Sequence, residues 1–195
     1  EERSKIPVNA GFRKAEHGNL NERELFLNEL QDQIPSPWNG VRLDGFTHHY
    51  AKEYIHQYKP RVVFISYGET DDFAHDSRYD HYLKAARNTD HLIQDLWQHC
   101  QSDEFYKGKT TFIITTDHGR GDNPKKEWTS HGKVIKGSNA IWMVALGPDT
   151  PALGEVKNKG QMWQNQVAAT VAKWLGYKYE NKDEVGTPVP LFFKP

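Results

Sequence analysis

The residues of this chain that could do chemistry gather at two points. One is Asp117-His118, which follows the apolar, β-branched run from Thr111 to Thr116 and is joined by His131 from the loop beyond. The other is Asp71 and His75, four positions apart in GETDDFAHD, directly after the run RVVFISYG. Carboxylate oxygen and imidazole nitrogen are the donors that suit Zn²⁺ or Mn²⁺. Both groups stand where an apolar run ends, and in open α/β sheets ligands bind outside the carboxyl ends of the strands. Neighbouring strands lie about 4.8 Å apart. Ligands from two such ends could therefore surround two ions about 3.5–4 Å apart, the geometry of two-metal phosphoryl-transfer sites. Glu69, Asp72, Asp76 and Asp122 are near enough in sequence to orient the imidazoles from behind. Taken singly, each of these residues reads as a loop carboxylate or a solvent-facing histidine. It is their joint placement at two strand ends that favours a metal.

Position separates the candidates from their look-alikes. Asp-His occurs three times, and Asp80-His81 and Asp90-His91 fall inside one helical stretch, from about Arg78 to Cys100. Only Asp117-His118 follows a strand. His48, His49 and His56 lie on a helix as well and read as solvent-facing or capping residues.

The elements that must position these groups can be read from periodicity. Asn21 with Glu24 forms a capping box that opens a helix with Leu25, Phe26, Leu30 and Ile34 as its inner stripe. Asp44 caps a second helix, GFTHHYAKEYIHQY, with Phe46, Tyr50 and Tyr54 at helical spacing, closed by Lys59-Pro60. RVVFISYG shows no alternation, as expected of a strand covered on both faces. The helix after it turns Tyr79, Tyr82, Ala86, Ile93, Leu96, Trp97 and Cys100 to one side. AIWMVALG reads as a further strand. A last helix, MWQNQVAATVAKWLG, points Trp163, Val167, Val171 and Trp174 inward and stops at Gly176. Strands alternating with helices of this length imply a single α/β domain with a mainly parallel sheet and helices on both faces. It divides into an irregular and helical lead-in at 1–43, a metal-site core at 44–176 and an extended tail at 177–195.

Composition narrows the function classes. With 25 basic and 26 acidic residues the chain has no net field to attract nucleic acid or an anionic membrane. No apolar run approaches the roughly 20 residues of a membrane span. The single cysteine, Cys100, excludes an intrachain disulfide.

At this point the motifs resemble a family. DDFAH is similar to the D-x-x-G-H loop of the alkaline phosphatase superfamily, TTDHG to its S/T-x-D-H-G strand end, and TSHGK to the segment bearing its third imidazole. The resemblance implies an alkaline phosphatase-like fold and two divalent metal ions, Zn or Mn. Asp71, His75 and His131 would bind one, and Asp117 and His118 would supply half of the second site. The implied partner is a small phosphate-ester substrate, and the setting favoured is periplasmic or secreted. The implied activity is metal-dependent hydrolysis of phosphate monoesters or diesters. Phosphoglycerate mutase-like phosphotransfer and a non-catalytic metal-binding role are the alternatives. Ala74 stands where the family usually has glycine. The family's nucleophilic Ser or Thr comes from a segment with no counterpart before Asp71. The catalytic nucleophile is therefore unknown and expected upstream, on a missing N-terminal segment of the same protein, and these residues alone are expected to be inactive.

Overall fold

In the computed structural model, which describes residues 6–16, 18–123, 126–157 and 160–194, Asn21 opens the first helix by a two-way exchange. Its side-chain oxygen accepts the N–H of Glu24, and the Glu24 carboxylate accepts the N–H of Asn21. Two donors that a helix start leaves unpaired are thereby satisfied. Residues 1–5 and 17 of the irregular lead-in lie outside the described residues. The chain falls into two compact units, Glu1–His99 and Cys100–Pro195.

The first unit holds α1 (Glu22–Gln33), α2 (Asp44–Tyr58), α3 (Glu69–His75) and most of α4 (Tyr79–Ser102). Its core is Leu27 of α1 against Phe46 and Tyr50 of α2, with Ala15, Leu30 and Leu43 packed around them. The face of α1 differs from the one its apolar residues suggest. Leu25 and Phe26 are 54% and 59% exposed, Ile34 also faces out, and the buried positions are Glu24, Leu27 and Gln31. Two of those three are polar, which shifts the apparent phase of the stripe. Glu24 is held by the capping box, and the Gln31 amide donates to the Phe12 carbonyl at 2.8 Å. Burying them is tolerable because each is hydrogen-bonded. On α4 the buried side chains are Ala85, Leu96 and Cys100, whereas Tyr79 is exposed.

The second unit carries β1 (Phe112–Thr115), β2 (Met143–Leu146), α5 (Gln166–Trp174) and a short 3-10 turn at Pro190–Phe192. β1 and β2 pair antiparallel, with Phe112 opposite Leu146 and Thr115 opposite Met143. The mainly parallel sheet expected from the sequence is not seen among the described residues, where the sheet is two-stranded and antiparallel. The reason lies in the connection. Parallel neighbours need a crossover, usually a helix, and between β1 and β2 the described residues form turns and irregular chain with no helix. The run RVVFISYG joins no sheet among the described residues, and Phe64 is 90% exposed. Helix α5 also turns polar residues inward. Thr170 is fully buried, donates to the Gln166 carbonyl and accepts the Val189 N–H at 2.9 Å, which straps the tail across the helix. Trp163, expected inward, is exposed. The helix ends before Gly176, whose φ of +81° is the left-handed value that a glycine takes without strain. No helix among the described residues is long and apolar enough to cross a membrane.

Candidate metal centre

In the first unit, Asp71 and His75 lie on α3 rather than in a loop. Helical spacing sets residues four apart on one face, and His75 Nε2 stands 3.3 Å from Asp71 Oδ2. Both side chains are partly open to solvent. The short helix is fixed at each end. Beyond its C-terminus the Asp76 carboxylate accepts the Trp38 indole N–H at 2.7 Å, and the Trp38 ring meets Phe73 edge-on. At its start the Asp44 carboxylate accepts the N–H groups of Gly68, at 2.7 Å, and Glu69, while Glu69 Oε1 accepts the Asp44 N–H at 2.9 Å. Asp44, expected to cap α2, therefore caps α3, and Leu43 takes the N-cap place on α2. Burial pushes the Asp44 carboxyl up to about 7, against the pull of the Gly68 and Glu69 N–H groups and with the help of the Glu69 and Asp72 charges.

In the second unit, Asp117 and His118 follow β1 by one residue, and the loop brings His131 back over His118. The two imidazoles stack at 3.6 Å with 14° between their planes. His118 Nδ1 lies 2.9 Å from the Gly119 carbonyl. A carbonyl can only accept, so Nδ1 is the nitrogen that donates there, and Nε2 is the one left for another partner. The Asp117 carboxylate accepts the His118 N–H at 3.0 Å, and its carbonyl takes a bond from the Gln164 amide at 3.1 Å. Glycine after Asp-His has a steric cause. Gly119 donates to the Ser138 carbonyl at 2.8 Å, and a Cβ there would meet the Gly137 and Ala140 oxygens at 2.3 and 2.5 Å. Gly132 N–H donates to the Ser138 hydroxyl, and Gly121 N–H to the Ser130 carbonyl. Those bonds hold the His131 end of the loop against the His118 end.

This donor set fits a divalent ion. It offers carboxylates and imidazoles, and the one imidazole with an assigned tautomer has its ring fixed by a backbone carbonyl, as metal-binding histidines commonly do. Three of the four expected supporting carboxylates have other work. Glu69 holds Asp44, Asp76 holds Trp38, and Asp122 pairs with Lys136 at 2.6 Å. The look-alikes are on α4 as expected, with Asp80 and His81 on its first turn and Asp90 and His91 exposed.

The profile of the type I phosphodiesterase/nucleotide pyrophosphatase family matches residues 9–185 of this sequence. The chain belongs to that family. It is a family of phosphodiesterases and pyrophosphatases within the alkaline phosphatase superfamily. No curated protein and no solved structure matches the chain. The match runs through all five candidate ligands of this phosphodiesterase-family chain.

Sequence reasoning missed one buried group. His48 is fully buried, with Nδ1 3.0 Å from the Tyr67 hydroxyl and Nε2 2.8 Å from Asp95 Oδ2. Lys52 Nζ reaches the same Asp95 oxygen at 2.6 Å. Burial lowers the His48 pKa although the Asp95 hydrogen bond opposes it. The signal was the spacing Asp44, His48, Lys52, a polar line on one face of α2 at intervals of four.

Proposed function

We propose that this chain carries the metal-binding part of a metal-dependent hydrolase of phosphate esters, one that acts on a phosphodiester or pyrophosphate bond and whose nucleophile is not among the residues assigned here. Asp71, His75 and His131 would hold one divalent ion, Zn or Mn, and Asp117 and His118 would contribute to the second. The observation that carries the proposal is the His118–His131 stack beside Asp117, with the His118 tautomer set by Gly119. Its chemistry is that of an imidazole whose ring is already turned by a backbone hydrogen bond through Nδ1. A divalent ion held by such donors polarises a phosphoryl oxygen and neutralises the charge that develops on transfer.

The chain's own residues have separable roles. The Gly119 carbonyl keeps the proton on Nδ1 of His118, so that Nε2 is the donor atom. Asp117 contributes negative charge beside that ring. Helix α3 keeps Asp71 and His75 in register through its geometry rather than through long side-chain reach. The family match favours hydrolysis over mutase-like phosphotransfer.

Calorimetric titration of Mn²⁺ into the parent chain and into His75→Ala, His131→Ala and His91→Ala tests the assignment. Weaker binding by the first two variants and parent-like binding by the third is expected. Parent-like binding by both His75→Ala and His131→Ala would overturn it.

A further inference from the structure

The five candidate ligands leave unused the most deeply buried polar groups of the first unit. Asp44 is 1% exposed and His48 is fully buried, four residues apart on one face of α2. Both reach the same short piece of chain. The Asp44 carboxylate takes the Gly68 N–H at 2.7 Å and the Glu69 N–H at 3.3 Å, and Glu69 returns a bond to the Asp44 backbone. One residue earlier, His48 holds the Tyr67 hydroxyl at 3.0 Å. His48 is braced from behind by Asp95 of α4, and Asp95 by Lys52 of α2. Three consecutive residues, Tyr67 to Glu69, are thus tied to two buried side chains, and α3 starts from them with Asp71 in its first turn.

We propose that Asp44 and His48 are positioning residues for the Asp71–His75 ligand pair, setting where α3 begins and so where its donor face is presented. The proposal rests on the metal reading given above. The physical case is that α3 has only seven residues. A helix that short is not stable by itself, since isolated helices shorter than about 12 residues are marginal in water. Its placement must come from what grips it. Trp38 grips its far end through Phe73 and Asp76; at the near end the buried grip is that of Asp44 and His48. Loss of either would leave α3 formed from the same sequence yet free to shift or fray. Both ligands ride on its two turns, so they would shift with it.

The test measures Mn²⁺ affinity of the full 195-residue chain by calorimetry for Asp44→Ala, Asp44→Asn, Tyr67→Phe and His75→Ala, with amide exchange of residues 71–76 recorded metal-free. Asparagine keeps a carbonyl oxygen for the Gly68 N–H, whereas alanine keeps nothing. Asp44→Ala should weaken Mn²⁺ binding by about 10- to 100-fold, the range for groups that orient metal ligands. Asp44→Asn should restore most of that loss, and Tyr67→Phe, which removes one hydroxyl and keeps the ring, should give a smaller loss. A role in general stability alone would not produce rescue by asparagine that tracks α3 exchange. Parent-like affinity in both Asp44→Ala and Tyr67→Phe would overturn the proposal. If Asp44→Ala does not fold, Tyr67→Phe with parent-like affinity overturns it and a weakened one upholds it. Failure of the metal reading looks different, with parent and His75→Ala binding Mn²⁺ alike. The grip on α3 is then judged on amide exchange alone. Unchanged protection of residues 71–76 in Asp44→Ala overturns it, and lost protection that Asp44→Asn recovers upholds it.

Discussion

Replacing Asp44 by asparagine should abolish one component of the chain's pH-dependent stability. The Asp44 carboxyl sits at about 7 in the folded chain against an ordinary 3.8, chiefly through burial, then through the neighbouring Glu69 and Asp72 charges. The folded state therefore holds this proton more tightly than the unfolded state. Its contribution to stability is fully present below pH 3.8 and is lost as the pH rises through 7. That gap of roughly three pH units, at about 1.4 kcal/mol each, bounds the loss at about 4 kcal/mol. His48 works in the opposite direction. Burial lowers its pKa, so its contribution is lost as the pH falls below 6.5. His48 is present in both proteins and cancels when they are compared. The Tyr67 hydroxyl, raised by burial and by the Asp44 and Asp95 charges, stays protonated throughout the range. Asparagine cannot titrate and still accepts from Gly68, at a cost of about 1 kcal/mol for the imperfect partner it offers Glu69. Urea denaturation in chelator at pH 4.5 to 8.5 would be run on both chains. At pH 4.5 the parent should be equal or slightly better, and by pH 8.5 Asp44→Asn should be the more stable by about 2–4 kcal/mol. A difference that stays flat over this range, or that turns in the parent's favour as pH rises, would refute the reasoning.

Other expected outcomes follow from single contacts. Gly119→Ala should lower stability by about 1–3 kcal/mol, because its Cβ would meet two backbone oxygens; thermal melting reads the loss, and nuclear magnetic resonance should show the His118 and His131 ring signals moving apart. Leu27→Ala, in the α1–α2 core, should cost about 2–5 kcal/mol. Leu25→Ala on the exposed side of the same helix should stay within about 0.5 kcal/mol, and equal losses from the two would mean that the helix is turned the other way. Asp117→Ala should weaken Mn²⁺ binding less than His75→Ala does, since Asp117 is 82% exposed and belongs to the less complete ligand set.

Local signals in the sequence carried through well. The Asn21–Glu24 exchange, the stop at Lys59-Pro60 and the turn at Gly176 each depend on a few adjacent residues, and each appears where its chemistry demands. The candidate ligand groups, which stay a proposal, stood out in the sequence for a related reason: imidazoles and carboxylates clustered at element ends are uncommon. What failed depended on partners far along the chain. Glu24 and Gln31 occupy the inner face of α1 with Asn21 bonded to the first and the Phe12 carbonyl to the amide of the second, and periodicity of apolar residues cannot register that. Pairing direction was lost likewise, because strand composition does not report which neighbour a strand finds. His48 looked like any surface histidine until Tyr67 and Asp95 met it from elsewhere.

The segment from Arg61 to Ser66 has its own consequence. It lies outside any helix or sheet among the described residues and holds Val62, Val63 and Phe64 toward water. Its ends are anchored, by Lys59 N–H to the Ile55 carbonyl on one side and by Tyr67 to His48 on the other. Proteases seize their substrates as extended strands with both edges open, and exposed connections are where nicking concentrates. Arg61 offers a tryptic bond and Phe64 a chymotryptic one within this single stretch. Brief digestion should therefore cut here early and release α1 and α2 from α3, and any partner that lies along the stretch would announce itself as protection from the enzyme.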